Sequence, residues 1–189
     1  PQVIENQDMA QLGYSDIRAY EIENAGELAW FVQHFYAGDL ETQNVSLADN
    51  IDMSALAAYS WTPLGYYNVE TQTGKSYDGV FDGNGYSISN IILNQINGVD
   101  LVSKVSEEQA AVLGTQPIEN IAQNALAGVF GYIGSAGHVT ELKLENTSIT
   151  SNADAGVLTG RNEGSISACV TSGASVTSSK SDAFVSCLL

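Results

Sequence analysis

Apolar residues recur at helical spacing in one stretch near the start of the chain. Four of them lie at positions i, i+3, i+4 and i+7 of one helical face: Leu28, Phe31, Val32 and Phe35. Asn24 is a typical N-cap, Glu27 stands at the third helical position, and Gly38 suits the C-terminal stop. The pattern predicts an amphipathic helix over about Ala25–Ala37, whose apolar face must cover other apolar residues.

From Val45 onward the apolar residues fall in short β-type runs separated by Gly, Asn and Ser, and these runs repeat. Residues 127–150 align with residues 155–178, with one residue lost in a turn. The matched pairs include Ala127/Ala155, Val129/Val157, Val139/Ile166, Leu142/Cys169, Ile149/Val176 and Thr150/Thr177. A unit of this length buries its apolar face only against its neighbours, which is typical of a solenoid.

The segment GVFDGNGYSISNIIL (Gly79–Leu93) allows two interpretations. Its Asp-Gly and Asn-Gly dipeptides are strong local signals for a β-hairpin. Its flanks, however, align with the repeat, as Val80/Phe81 with Val129/Phe130, and Ile88, Ile91 and Leu93 with Val139, Leu142 and Leu144. We therefore predict a corner between two stacked strands, and the same alignment places Ala183 and Val185 above Ala155 and Val157.

Stacking of such units predicts an all-β fold, namely a right-handed parallel β-helix with an N-terminal amphipathic capping helix and one inserted segment. Each coil would lie about 4.8 Å above the last. A β-sandwich also has many short strands, but it does not explain why equivalent positions recur in register while the turns change length. A leucine-rich repeat would need Leu and Asn at set positions, which the chain lacks.

The predicted β-helix is a single domain over residues 1–189 with four parts. Residues 20–44 form the N-terminal cap, 45–94 the first coils, 95–126 an insertion, and 127–189 the later coils. Within the insertion, Ser106–Leu113 is a candidate short helix. The apolar end, Cys187–Leu189, falls part-way through a new coil, so a shortened chain, a neighbouring domain and end-to-end association through the C-terminal coil are open alternatives.

Charge narrows the range of partners. The 189 residues include 22 acidic and 6 basic side chains, for a formal net charge of −16. Such a surface repels nucleic acid, anionic lipid and polyanionic glycans, so we expect no nucleic-acid partner. No apolar run approaches the roughly 18 residues that span a bilayer, so we expect no membrane span.

Five segments follow one another in a characteristic order: ENAGELAWF (Glu23–Phe31), LADNIDM (Leu47–Met53), WTPLG (Trp61–Gly65), FDGNGYSISNIIL (Phe81–Leu93), and the paired blocks AGVFGYIGSAGHVTELKL and AGVLTGRNEGSISAC. Together they resemble bacterial surface and secreted proteins that carry the GLUG motif, over roughly residues 20–185. The resemblance implies a β-helix, secretion or display on the bacterial cell surface, and adhesion-type or unknown functions. It carries over no catalytic residue, and residues 95–126 depart from it.

Aromatic residues are densest between residues 59 and 86, where exposed rings could bind a carbohydrate. The candidate ligand-binding residues are Trp61, Tyr66, Tyr67 and Tyr77. The alternative is that most of these rings pack against the coil or the cap. The insertion at 95–126 belongs to the same candidate contact region, and its role is left open.

The remaining chemistry-bearing residues predict no metal site, no cofactor and no catalytic group. Two acidic groups, Asp78/Asp82/Asn84 and Asp49/Asp52, offer oxygens to Ca²⁺, but they equally suit turns at coil corners. His34 lies off the apolar helical stripe, and neither it nor His138 has a Ser or Cys placed beside it by the repeat register. Cys169 and Cys187 are two buried thiols or one disulfide.

The sequence thus predicts a non-catalytic extracellular binding or adhesion module of a bacterial surface protein, with a glycan or a host protein as ligand. The alternatives are a structural spacer that positions a neighbouring domain and, less favoured, a glycan-active β-helix enzyme. An enzyme of the last kind needs a carboxylate cluster, or a basic residue beside a cation, on one outward face, and the repeat offers mainly Ser, Thr and Asn there.

Overall fold

The structure, a computed structural model, describes residues 1–38, 40, 42–101 and 125–186, which are mainly short β-strands with few helices. The helices are α1 (Gln7–Gln11), α2 (Ala25–Ala37) and a 3₁₀ helix (Met53–Leu56). The strands are β1 (Gln2–Glu5), β2 (Arg18–Ile22), β3 (Asn44–Leu47), β4 (Ile51–Asp52), β5 (Tyr66–Asn68), β6 (Thr73–Lys75), β7 (Val80–Asp82), β8 (Ser87–Ser89), β9 (Ile92–Asn94), β10 (His138–Thr140), β11 (Lys143–Glu145), β12 (Ser148–Ser151), β13 (Ala155–Gly156), β14 (Ser165–Ser167), β15 (Val170–Ser172), β16 (Ser175–Ser178) and β17 (Val185–Ser186).

Helix α2 has the bounds that its local signals predict. The side chain of Asn24 accepts a hydrogen bond from the Glu27 backbone N–H at 3.0 Å, and Gly38 takes the left-handed conformation with φ of 105°. The apolar face is fully buried in the main core with residues of β3, β4 and β7; its members are Leu28, Phe31, Val32 and Phe35. The prediction of an amphipathic helix with one buried face is confirmed.

The first 19 residues, which show little pattern in the sequence, form an antiparallel strand and a short helix. Strand β1 pairs with β2 and forms the outermost strand of the largest sheet. Met9 of α1 packs with Ala19 and Val80 in a small second core on the outer side of that sheet. The buried amide of Asn6 donates to the Asp82 carboxylate at 2.9 Å and so holds this segment in place.

Successive strands visit three different sheets and then return to them. Strands β7, β8 and β9 each lie in a separate sheet; β10, β11 and β12 pair with them in the same order, and β14, β15 and β16 follow. All of these pairings are parallel. The chain therefore passes three times through the same three parallel sheets, with apolar side chains stacked between them.

The DGNG segment is a corner between two of these sheets. Phe81 pairs in parallel with Val139, and Ile88 pairs in parallel with Leu144. The backbone N–H of Tyr86 donates to the Gly83 carbonyl at 2.8 Å across a tight turn. Because the two flanking strands belong to different sheets, the hairpin alternative is excluded and the prediction of a corner is confirmed.

The predicted pairing of residues 79–93 with the next coil was nevertheless wrong, because each strand pairs with the strand after the predicted one. The alignment placed Val80/Phe81 on Val129/Phe130 and Ile88 on Val139, whereas Phe81 lies beside Val139 and Leu64 lies beside Phe130. The antiparallel hairpin of β5 and β6 stands between Leu64 and Tyr77, and Tyr77 bridges to Ile133. In the next coil the equivalent corner, between Phe130 and Ile133, is only two residues long. Because the hairpin makes the corner between Leu64 and Tyr77 much longer, the sequence spacing of the two coils does not match, and the predicted register was therefore wrong.

The later register was predicted correctly at most positions. Val139 lies beside Ile166, Ile149 beside Val176, and Ala127 beside Ala155. At the last coil, Val185 pairs with Ala155 instead of the predicted Val157, because the turn before it is two residues longer than the alignment allowed. The candidate helix Ser106–Leu113 and residue Cys187 lie outside the described residues.

Candidate functional site

Two of the four candidate ligand-binding aromatics lie in the core. Trp61 is 4% exposed and its indole N–H donates to the Val129 carbonyl at 3.0 Å. Tyr77 is fully buried and its hydroxyl donates to the Gln43 carbonyl at 2.9 Å. Both polar atoms are thus satisfied by backbone carbonyls. Because Trp61 and Tyr77 are buried, neither ring offers a contact surface to a ligand outside the protein.

The other two candidates, Tyr66 and Tyr67, are half-buried residues of strand β5. The β5–β6 hairpin carries them outside the stacked strands, with Tyr66 opposite Lys75 and Tyr67 opposite Gly74. A side chain at Gly74 would meet the Tyr66 carbonyl oxygen at 2.5 Å, so glycine at this position lets the two strands approach closely. The hairpin therefore positions two adjacent tyrosines at the surface.

Tyr67 meets two residues of the following coils that the sequence did not single out as site residues. The Tyr132 ring lies edge-on to Tyr67, with centroids 5.6 Å apart and an interplanar angle of 72°. The guanidinium carbon of Arg161 lies 4.0 Å from the Tyr67 centroid and 5.1 Å from the Tyr132 centroid. Arg161 therefore makes cation–π contacts with both rings.

A carboxylate completes this group. The Arg161 Nε donates to Glu163 Oε1 at 3.0 Å, and the Tyr132 hydroxyl donates to Glu163 Oε2 at 2.8 Å. The side chains of Arg161 and Glu163 keep 34% and 41% of their exposure, so the ion pair is open to solvent. We call this set the tyrosine–arginine cluster; its members are Tyr67, Tyr132, Arg161 and Glu163, whereas Tyr66 stacks on Tyr36 instead.

The hydrogen bonds of the cluster set the direction of its pKa values. The bond to Glu163 raises the pKa of Tyr132, because a nearby carboxylate disfavours the phenolate. The hydrogen bonds from Arg161 and then from Tyr132 lower the pKa of Glu163. At neutral pH the cluster thus presents aromatic faces, a phenol hydroxyl, a guanidinium and a carboxylate together, which is the donor and acceptor set that hydroxyl-rich ligands use.

The stacking register explains why Tyr132, Arg161 and Glu163 come together. Phe130 bridges to Thr159, and Ile133 bridges to Asn162, so the turns that hold Tyr132 and Arg161 lie one above the other. Tyr132 lies between the core residues Phe130 and Ile133, and Arg161 lies in the turn beside it, between the half-buried Thr159 and the exposed Asn162. If the sequence alignment had included the turns as well as the strands, it would have placed Tyr132 beside Arg161.

The structure overturns one expectation about the histidines. Nδ1 of His138 is hydrogen-bonded to the hydroxyl of Ser165, and Ser167 lies 3.3 Å from Nε2. The prediction that no Ser stands beside His138 was wrong, because His138 and Ser165 are direct partners in the parallel pairing of β10 and β14. Burial beneath Tyr14 lowers the pKa of His138, and Asp82 acts in the opposite direction. His34 instead stacks on Trp30 with centroids 3.9 Å apart.

The two acidic groups serve the corners of the chain. Asp82 Oδ1 accepts from the Asn84 backbone N–H at 2.8 Å, and Asp52 Oδ1 accepts from the Ser54 N–H at 2.9 Å. In the part of the chain that the structure describes, no group of three or more His, Cys, Asp or Glu side chains is arranged to hold a metal ion. Cys169 is half-buried, and burial raises the pKa of its thiol.

Comparison with known proteins shows a distant similarity to one curated protein. No protein-family profile matches the chain, and no solved structure matches it. It is similar to halomucin from Haloquadratum walsbyi (strain DSM 16790 / HBSQ001), with 28% identity over 156 residues. This match covers 82% of the chain but about 1% of the length of halomucin. Separately, no helix of the described residues is both long enough and apolar enough to span a bilayer.

Proposed function

We propose that this chain is a non-catalytic extracellular binding or adhesion module whose ligand is a glycan or a protein. The observation that carries the proposal is the tyrosine–arginine cluster. It combines partly exposed rings with a solvent-accessible ion pair on one side of the molecule. Aromatic residues and arginine are enriched where proteins bind ligands, because each offers a large contact area with a polar group attached.

The proposed architecture is a right-handed parallel β-helix with α2 as its N-terminal cap. Three passes through the same three parallel sheets support it, as does the continuous core that α2 joins. A β-helix suits a binding module, because the stacked coils form a rigid scaffold while the corners vary freely. The hairpin of β5 and β6 is such a corner, and it carries Tyr66 and Tyr67.

An extracellular location is supported by the similarity to halomucin over 82% of the chain. The formal net charge of −16 fits the same proposal, because it disfavours contact with nucleic acid and anionic lipid. Membership among GLUG-motif proteins stays a prediction that rests on the five segments described above.

The electrostatics of the cluster favour binding over catalysis. Glu163 is held ionised by Arg161, and the hydrogen bonds that it accepts lower its pKa. A general acid or base works best with a pKa near the operating pH, and Glu163 is shifted away from neutral pH. The exposed guanidinium and carboxylate are instead suited to hydrogen-bond a ligand while the rings contact its apolar face.

The test is a binding survey of the purified chain on a glycan array and on immobilised extracellular-matrix proteins. Two variants probe the cluster, Tyr67→Ala and Arg161→Gln, and Tyr86→Ala is the matched control because Tyr86 is also half-buried but belongs to another corner. We expect the cluster variants to weaken binding at least about tenfold, which corresponds to about 1.4 kcal/mol, while the control retains it.

Two outcomes would contradict the proposal in different ways. Binding that the cluster variants leave intact would show that the ligand uses another surface. The wild-type chain could instead bind nothing in either survey while its far-ultraviolet circular dichroism spectrum shows folded β-structure. That result would argue against a binding module and favour the structural spacer.

A further inference from the structure

The chain contains two Asn-x-Ser tripeptides, which are acceptor sequences for an N-linked glycan, and the fold places them in opposite environments. They are Asn44-Val45-Ser46 and Asn146-Thr147-Ser148. A glycan at such a site is bonded to the side-chain nitrogen of Asn, and it is bulky and hydrophilic, so it must lie outside the folded chain. The surroundings of the two Asn side chains therefore decide which tripeptide is able to carry a glycan.

The first tripeptide is unsuitable, because Asn44 is buried and its side chain holds three backbone groups. Asn44 is 7% exposed. Its Nδ2 donates to the carbonyl oxygens of Asp16 at 3.0 Å and Arg18 at 3.1 Å, and its Oδ1 accepts from the Val80 N–H at 2.9 Å. A glycan on Nδ2 would replace one of the two hydrogens and bring a large polar group into the protein interior. The fold therefore excludes Asn44 as a glycan carrier.

The second tripeptide lies at the surface, at the corner between strands β11 and β12. Asn146 is exposed, and its φ of 53° lies in the left-handed region that Asn tolerates better than most residues. The corner is held by the backbone, since the Asn146 N–H donates to the Ser172 carbonyl at 2.9 Å. Among the described residues, none forms a hydrogen bond with the Asn146 side chain. The amide is thus available to another partner.

The coils on both sides of this corner leave the Asn146 amide uncovered. Strands β8 and β15 pair with β11, so Asn90 and Gly173 occupy the corresponding corner positions. The Asn90 side chain donates to Asp52 at 2.8 Å, in the coil on its other side. A side chain at Gly173 would meet Asn146 Oδ1 at 2.5 Å. Because residue 173 is glycine, no side chain at this position lies against the amide.

We propose that Asn146 is an N-glycosylation site. This inference rests on the extracellular location in the proposed function, because the Asn-x-Ser acceptor sequence is used in secreted proteins. The donor is an oligosaccharide linked through phosphate to a lipid. The Asn146 Nδ2 bonds to C1 of the first sugar and loses one proton, while the bond between C1 and the phosphate oxygen breaks and the lipid phosphate leaves.

The glycan and the tyrosine–arginine cluster belong to different corners of the coil. Strands β10 and β11 lie between the turn that holds Tyr132 and the corner that holds Asn146. The two proposals therefore fail separately. A chain that carries a glycan on Asn146 but binds nothing contradicts the binding module, whereas a chain that binds its ligand without a glycan on Asn146 contradicts only the glycosylation site.

The test is secretion of the full chain from a host cell that performs N-glycosylation, followed by peptide mass spectrometry. Treatment with a peptide N-glycosidase marks each occupied site, because it releases the glycan and converts the Asn to Asp. We expect a glycan on Asn146 and an unmodified Asn44. Ser148→Ala removes the hydroxyl that the acceptor sequence requires and should abolish the glycan, whereas Ser148→Thr should retain it.

Ser175→Ala is the matched control. The Ser175 hydroxyl donates to the Ser148 hydroxyl at 3.4 Å, so Ser148→Ala and Ser175→Ala both remove this hydrogen bond. Only Ser148→Ala also removes the acceptor sequence. We therefore expect Ser175→Ala to keep the glycan, and circular dichroism should show that all three variants remain folded.

Each other result would overturn the proposal. A secreted, folded chain with an unmodified Asn146 lacks this site. A glycan on Asn44 would show that burial in the fold does not select the acceptor. Loss of the glycan in Ser175→Ala as well would show that the hydrogen bond between the two hydroxyls, and not the tripeptide, controls the modification.

Discussion

The guanidinium carbon of Arg161 lies 4.0 Å from the centre of the Tyr67 ring, although the two residues come from distant parts of the chain. Tyr67 lies on strand β5 of a hairpin, and Arg161 lies in a turn between Thr159 and Asn162, which pair with Phe130 and Ile133 of the preceding coil. The contact therefore joins an extra element of one coil to the regular stack of another. It places Tyr132 and Glu163 within the same group, so the electrostatics of these four residues should change together.

The pKa of Tyr132 reports on this group. Glu163→Gln removes the negative charge that now disfavours the phenolate, and it frees Arg161 to stabilise that phenolate. We expect the pKa of Tyr132 to fall toward the ordinary tyrosine value of about 10. Ultraviolet titration near 295 nm measures it, with a Tyr132→Phe chain to identify the signal. An unchanged titration curve would show that Glu163 does not hold the hydroxyl in solution.

The pKa of His138 allows a test of how the N-terminal segment packs. Burial lowers the pKa of His138, and the Tyr14 ring lies against its imidazole with centroids 5.8 Å apart. Proton NMR of the imidazole should give His138 a pKa below the ordinary value of about 6.5. Tyr14→Ala should raise it, because water then reaches the ring, and a His138→Gln chain assigns the resonance. If the pKa of His138 is the same in Tyr14→Ala as in the wild-type chain, Tyr14 does not shield the imidazole from solvent.

The sign of the corresponding stability change follows from this lowered pKa. The unfolded chain binds the His138 proton more readily than the folded chain does. The His138 contribution to stability is therefore complete above pH about 6.5, and it is lost as the pH falls through the lower folded value. Urea unfolding of the wild-type chain should lose more free energy over this window than unfolding of the His138→Gln chain. Equal losses would contradict it.

The glycines of the DGNG corner distinguish stacking from local turn geometry. A side chain at Gly83 would meet the Glu141 carbonyl oxygen at 2.5 Å, in the next coil, whereas one at Gly85 meets nothing within 4 Å. Gly83→Ala should cost more than about 2 kcal/mol, since the coils must separate. Gly85→Ala should cost about 1 kcal/mol, since its φ of 77° strains any other residue. The reverse order, measured by urea unfolding, would indicate that only the turn matters.

One buried hydroxyl offers a stabilising substitution. Thr147 is 1% exposed, and no described atom lies within hydrogen-bonding distance of its Oγ1. Thr147→Val keeps the shape and removes the cost of burying an unpaired polar group. We expect a gain of about 1 kcal/mol in the free energy of unfolding. The matched control is Thr140→Val, because the hydroxyl of Thr140 accepts from Ser167 at 3.0 Å and its loss should not stabilise. A loss of stability in Thr147→Val would show that the hydroxyl is bonded in solution.

Sequence signals such as caps and apolar spacing predicted helix α2 correctly, because the ends of a helix depend mainly on its own residues. The cap at Asn24, the apolar stripe and the stop at Gly38 predicted the bounds of α2 without any tertiary contact. Local signals gave the wrong result for two turns, the DGNG corner and the turn of the β5–β6 hairpin. The strong hairpin dipeptides of DGNG form a corner between sheets, and the true hairpin of β5 and β6 turns through Val69–Gln72, which has no such signal.

The candidate site was predicted only in part for a related reason. Aromatic density pointed to residues 59–86, but composition does not say which rings point inward, and Trp61 and Tyr77 are core residues. Tyr132 and Arg161 gave no signal by themselves. They become neighbours of Tyr67 only because the coils stack at one particular register.

The sequence alone determined the helix, the acidic charge and the existence of a repeat whose apolar positions must stack. These are properties of spacing and composition, and each can be read along the chain. Only the tertiary structure decided which copies are neighbours, because an inserted hairpin changes the spacing without changing the stacked positions. The surface chemistry follows from that register, since a side chain in a turn acquires its partners from the coil beside it, not from its own neighbours along the chain.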